Sequence, residues 1–233
     1  MLIEVWSDVV CPWCYVGKRN LEAALAVFEH SAEVDVVWRS FELDPNAPTE
    51  REGGYADRLA RKYGVSPEEA QAMIDRMTAS AAAVGLTFRF DIARPGNSLD
   101  AHRLLHLGAA RGLQGELKEH LLRATFTEGE AIGDRETLAR LARDVGLVGE
   151  EVDEVLRSDR YASDVHDDEA RAASLDIHAV PFFLVDGYFA LGGAQPPRVL
   201  LRVLERAWSK GDDDPIDRPH TVGLCDEDDV CAT

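Results

Sequence analysis

The chain has 233 residues, 45% of them hydrophobic and 29% charged, a globular composition that can bury a proper core. Its formal net charge of −18 argues against nucleic acid and anionic membrane surfaces as partners and otherwise serves solubility. No apolar run approaches the ~18–20 residues of a membrane span. The opening MLIEVWSDVV carries Glu4 and no basic n-region, so a secretory leader is not expected and a cytoplasmic location is.

Residues 2–6 (LIEVW) predict a short buried strand. From Pro12 to about His30 the pattern is helical, with Leu21, Leu25 and Phe28 on one face. Residues 34–40 are β-branched and apolar and predict a second strand, parallel to the first across the helix. From Asp44 the character changes. Pro45, Pro48, Gly53 and Gly54 mark a loop, followed by helical segments near 55–63, 66–84, 98–111, 113–127, 134–145 and 150–156. Ser66 and Asp134 are N-cap candidates, and Gly85, Gly112 and Gly146 are helix stops. A helix near 158–174 leads to the apolar strand 182–185. Asp186-Gly187 is a hairpin turn signal, and residues 188–191 return as the partner strand. Pro196 and Pro197 open a last helix to about Trp208. Residues 210–233 are an acidic tail. No flexible linker isolates the helices, so the expected organisation is one α/β fold with an inserted all-helical domain. Residues 1–43 and 157–209 form the discontinuous α/β part and residues 44–156 the insertion.

Four cysteines fall in two close pairs, Cys11 with Cys14 and Cys225 with Cys231. A C-x-x-C pair in a reduced compartment points to redox work or metal binding. Cys11-Pro12-Trp13-Cys14 lies where a strand hands over to a helix. Unpaired N–H groups and the helix dipole favour a negative sulfur there. Pro12 suits the first helical position, and two intervening residues let the second sulfur reach the first. Cys11 is expected to be exposed and to attack as the thiolate, with Cys14 resolving. Lys18 and Arg19 are expected to help the thiolate and Asp8 to oppose it, giving a lowered Cys11 pKa. A zinc site needs two more ligands, which only the tail pair could bring; no metal is expected.

Further motifs accompany this pair. They are Ser7-Asp8 before it, Asn97-Ser98-x-x-Ala101-His102-Arg103 in the helices, and Val180-Pro181-Phe182-Phe183 with Gly193-Ala194-Gln195-Pro196 near the end. In this order the chain resembles the DsbA family of thioredoxin-fold proteins, in particular its FrnE-like branch, over residues 3 to about 208. The resemblance implies a thioredoxin core interrupted by a helical domain and thiol–disulfide exchange at Cys11 and Cys14. Glutathione or protein thiols would be redox partners, and no bound cofactor is implied. It also implies a cis bond between Val180 and Pro181, in a loop facing the sulfurs, with the Val180 backbone pairing with an extended substrate. The dipeptide Pro12-Trp13 differs from that of better-known relatives, so no oxidising strength is carried over.

His102 and His106 share a helix face at i, i+4. They read either as metal-ligand spacing or as satisfied histidines packed between insertion and core, the second being preferred; His102 and Asn97 are candidate cleft residues. Cys225 and Cys231 are separated by acids and read either as a second redox pair or as free thiols. The expected substrates are proteins or small molecules carrying thiols or disulfides. Alternatives are a glutathione-dependent isomerase or transferase of the kappa-class type, which typically has serine at the first active-site position, and an accessory redox role in a polyketide pathway. The oligomeric state is not readable.

Overall fold

The computed structural model describes residues 1–210 and 220–221, excluding the side chains of Lys210, His220 and Thr221. The called pair Cys225 and Cys231 lies outside the described residues.

Strand β1 (Leu2–Ser7), helix α1 (Pro12–Val27) and strand β2 (Asp35–Ser40) form a β-α-β start in which β1 and β2 run parallel, with Leu2 opposite Asp35. Strands β3 (Phe182–Val185) and β4 (Phe189–Gly192) complete a mixed sheet, β3 running antiparallel to both β1 and β4. A two-residue strand β5 (His220–Thr221) pairs parallel to β4, giving the order β2-β1-β3-β4-β5. The β3–β4 hairpin turns at Asp186 and Gly187, both at positive φ (48° and 74°), as the Asp-Gly dipeptide requires.

Alternation along β1 distributes its side chains between two faces. Ile3 and Val5 join Leu21 of α1, Phe28 just after it, and Val199, Leu200 and Val203 of α9 (Pro197–Lys210) in one core. Trp6 faces the other way and packs with Leu184, Ala190, Ile177 and Ala172 of α8 (Ala162–Ser174). Glu4, on that second face and 3% exposed, is held by Arg39 and Arg171, each at 2.7 Å.

Between β2 and α8 the chain forms α2 (Tyr55–Tyr63), α3 (Pro67–Ala83), α4 (Leu99–Ala110), α5 (Gln114–Arg123), α6 (Arg135–Asp144) and α7 (Gly149–Arg157). Ser66 caps α3 in a full capping box with Glu69, and Asp134 caps α6 by accepting from the Thr137 N–H at 2.8 Å. A π-helical turn, Ala124–Glu128, extends α5 and was not legible in the sequence. Leucines of α4, α5 and α6 with Val152 and Val155 of α7 make a second core, into which Val9 inserts just before the cysteines. A third cluster joins Tyr15 and Val16 of α1 to Ile74, Met77, Phe88, Phe90 and Phe126. Residues on either side of Cys11 and Cys14 thus enter two different apolar clusters.

Candidate redox site at the start of helix α1

Strand β1 stops at Ser7, and a short turn carries Cys11 to the N-cap of α1. The Cys11 N–H donates to the Asp8 carbonyl at 3.3 Å and closes that turn. Pro12 occupies the first helical position, where a missing N–H costs nothing. The Cys11 sulfur accepts no capping hydrogen bond; the Cys14 N–H donates to the Cys11 carbonyl at 3.1 Å, and the N–H groups of Trp13 and Cys14 lie on the side of the sulfur.

Both cysteines are unlinked thiols. Cys11 is 5% exposed and Cys14 is fully buried. The exposure expected for Cys11 is therefore corrected: the Val180 carbonyl covers it. The Cys11 Sγ lies 3.6 Å from the Val180 oxygen and donates to it. The Val180–Pro181 peptide bond is cis. The hydrogen bond from Cys14 and the backbone N–H groups of Cys14 and Trp13 bring the Cys11 thiol below its ordinary value, against burial and the charge of Asp8. Burial, together with the neighbouring Cys11 sulfur, pushes Cys14 well up. The Cys11 thiol is thus the more acidic of the two.

Asp8 is fully buried three residues before Cys11. Its carboxylate accepts from the Leu43 N–H at 2.8 Å and the Val10 N–H at 3.3 Å. His102 of α4 brings Nε2 to 3.3 Å from Asp8 Oδ1. Burial alone would raise the Asp8 carboxyl; the His102 contact and the Leu43 N–H outweigh it and hold Asp8 ionised. Burial pushes His102 down, so the ring is neutral and its Nε2–H donates to the carboxylate. The candidate cleft residue His102 therefore supports the turn that carries Cys11. Its Nδ1 is buried without a partner, which corrects the expectation that both histidines are satisfied. His106 is bonded through Nε2 to Ser40 Oγ at 3.1 Å and lies 3.3 Å from Asp168. Asn97 is spent elsewhere, donating to the Pro45 carbonyl and accepting from the Leu99 N–H.

Lys18 and Arg19 do not assist the sulfur as expected. Both pair with Glu22 and Glu119, and Lys18 Nζ reaches Glu119 Oε2 at 2.7 Å. Their charge is neutralised by a latch that ties α1 to α5. The cation the sequence reading missed is Lys118 of α5, fully buried, with Nζ 3.4 Å from the Ser7 carbonyl and 5.7 Å from the Trp38 ring centroid. Burial pushes it down to about 8, against the stabilising charge of the cysteine sulfurs. Its signal was a lysine on the same helix face as Leu117 and Leu121.

Among the described residues no group of three or more His, Cys, Asp or Glu could hold a metal ion, and no helix is long and apolar enough to cross a membrane.

This arrangement defines a thioredoxin-type fold with a helical insertion and a dithiol opposite a cis-proline. The DSBA-like thioredoxin domain family matches residues 2–205, and the chain belongs to that family. It is similar to a probable DsbA oxidoreductase from Streptomyces coelicolor, with 43% identity over 93% of each chain and a TM-score of 0.86. An uncharacterized protein of Bacillus subtilis, YwbO, is 29% identical over 195 residues, 82% of this chain and 90% of that protein. The cytosolic disulfide reductase DsbM of Pseudomonas aeruginosa shares the fold at 20% identity, covering 91% of this chain and 100% of its own, with a TM-score of 0.63; it has also been solved with GSH.

Proposed function

We propose that the chain is a cytoplasmic thiol–disulfide oxidoreductase of the oxidase or isomerase type, with Cys11 as attacking sulfur and Cys14 as resolving sulfur. The single observation that carries this reading is the 3.6 Å approach of the Cys11 sulfur to the carbonyl of Val180, beside a cis proline. The cytoplasmic assignment follows the sparse, paired cysteines, which do not form a secreted disulfide scaffold.

The Cys11 thiolate attacks one sulfur of a substrate disulfide. A Cys11–substrate bond forms, the substrate bond breaks, and the leaving sulfur takes a proton. Cys14 then loses its proton and attacks the Cys11 sulfur. The mixed disulfide breaks, the Cys11–Cys14 disulfide forms, and the second substrate thiol departs. Two electrons have passed from the pair to the substrate; the reverse sequence oxidises a dithiol. The backbone at Val180 would hold an extended substrate segment against Cys11. Glutathione is the first small redox partner to examine. The kappa-class alternative needs no resolving sulfur, and the presence of Cys14 beside Cys11 counts against it.

A trapping experiment tests the assignment. Cys14→Ser treated with oxidised glutathione should accumulate a stable adduct on the peptide carrying Cys11, and Cys11→Ser should carry none there. A Cys14→Ser protein that stays unmodified at Cys11 would overturn it.

A further inference from the structure

An open cleft of about 600 Å³ lies between the loop after β2 and helix α2. It is lined by Pro48, Glu50, Arg51, Glu52, Arg58, Arg61 and Lys62, four cations against two carboxylates in a chain whose net charge is −18. One of the two carboxylates is already engaged: Glu50 accepts from Arg94 at 2.6 Å. Arg51 is paired with Asp44 at 2.6 Å. Among the described residues, Arg58, Arg61 and Lys62 have no ion-pair partner. Arg58 instead donates to the carbonyls of Gly53 and Ala93 and lies over the Tyr55 ring, 5.2 Å from its centroid. Its guanidinium is held below its ordinary value by burial and by the like charges of Arg51 and Arg61, which mark a crowded positive field. Unpaired, crowded cations at the wall of a cleft are a receptor for an anion.

The segments that carry the cleft lead back to the Cys11–Cys14 pair. Upstream of the cleft-lining residues, the Leu43 N–H is fixed to Asp8, three residues before Cys11. Tyr55, Ala56 and Leu59 of α2 pack against the same apolar cluster as Trp13 of the active-site dipeptide.

We infer that this cleft binds the carboxylates of the disulfide substrate, so that the protein prefers low-mass anionic disulfides over neutral or cationic ones. The inference rests on the thiol–disulfide reading above and names the substrate class of that site. The chemistry is the balanced exchange already written; the cleft adds attraction and orientation and takes no electrons. Guanidinium groups suit this task, because their planar donors match a carboxylate fork.

The test compares three small disulfides that differ in charge: dithiodipropionate (dianion), bis(2-hydroxyethyl) disulfide (neutral) and cystamine (dication). Each oxidises the reduced full-length protein, and the rate is read from the mass of the peptide carrying Cys11 and Cys14. The dianion should react fastest and the dication slowest, with the spread narrowing at high salt. Arg61→Gln with Lys62→Gln removes two exposed charges, and the ratio of dianion to neutral rate constants should fall roughly tenfold, about threefold per charge at roughly 7 Å in water. Arg157→Gln, which removes one charge on α7 outside the cleft, should leave that ratio unchanged. An equal rate for dianion and neutral probe, or a ratio that survives the double substitution, would overturn the cleft assignment. Failure of all three probes to modify Cys11 would instead overturn the oxidoreductase reading itself.

Discussion

Gly17 lets Pro181 lie directly against helix α1: a Cβ at position 17 would stand 2.9 Å from Pro181 Cγ and 3.4 Å from both Pro181 Cβ and Phe183 Cζ. Six residues earlier on the same segment, Cys11 donates to the carbonyl of Val180. The absence of a side chain at Gly17 is what allows the loop to reach the sulfur. Gly17→Ala must push Pro181 away. Helix propensity alone would favour Ala by about 1 kcal/mol, whereas overpacking costs about 1–3 kcal/mol. The variant is expected to be net destabilised in urea melts and to alkylate faster at Cys11, because the sulfur is uncovered. A stable variant with unchanged alkylation would contradict this account of the loop.

Lys118, buried with its Nζ 3.4 Å from the Ser7 carbonyl, carries a positive charge that opposes the rise of the Cys14 thiol. Lys118→Met keeps the length of the side chain and deletes the charge. Cys14 should then titrate higher and resolve mixed disulfides more slowly. The loss of thiolate outweighs the gain in intrinsic nucleophilicity, because nucleophilicity rises less than one-for-one with thiol pKa, so resolution should slow. Stopped-flow decay of a preformed Cys11 mixed disulfide measures it.

Glu42 follows β2, with its N–H donating to Glu169 at 3.0 Å and its Oε2 buried without a partner. Burial and the charges of Glu169 and Asp8 push its carboxyl up to about 7. The folded state therefore binds this proton more tightly than the unfolded chain, and stability falls as pH rises from about 4.5 through about 7. Glu42→Gln should gain about 1–2 kcal/mol over the parent at pH 8, after allowing for solvent screening, and the gain should vanish near pH 4. Urea midpoints at the two pH values test the sign.

Glu119 behaves in the opposite way. Burial works against its charge, but the bonds from Arg19, Lys18 and Tyr15 hold the carboxyl down to about 2. Its contribution is present above about pH 4.5 and is lost as pH falls toward about 2. The full shift would be worth about 3 kcal/mol, and screening of a partly exposed group leaves about 1–2 kcal/mol. Glu119→Gln should lose that amount at pH 7 and about a quarter of it at pH 2.5, with unfolding followed by circular dichroism.

Much of the fold was legible because local rules and tertiary packing agree. The capping box at Ser66, the cap at Asp134 and the Asp186-Gly187 turn all stand where their chemistry requires. The place of the Cys11–Cys14 pair, at the junction of a strand and a helix, was legible from the apolar run before it and Pro12 at the first helical position. The supports of the site were not. Glu119 and Lys118 meet α1 and β1 only through tertiary packing, at separations of 101 residues for Glu119 with Lys18 and 111 for Lys118 with Ser7. Lys18 and Arg19 sit where they could serve the sulfur, and nothing local reveals that a distant carboxylate claims them. The cover over Cys11 likewise depends on a loop 169 residues away.

The most direct test of the central claim is a redox titration in glutathione buffers of a variant lacking Cys225 and Cys231, read by Trp13 fluorescence and by the mass of the Cys11–Cys14 peptide. The account predicts one reversible two-electron transition at a potential of about −120 to −180 mV, while a value near −270 mV would make the protein a reductase. Absence of any reversible transition would contradict thiol–disulfide exchange at this pair.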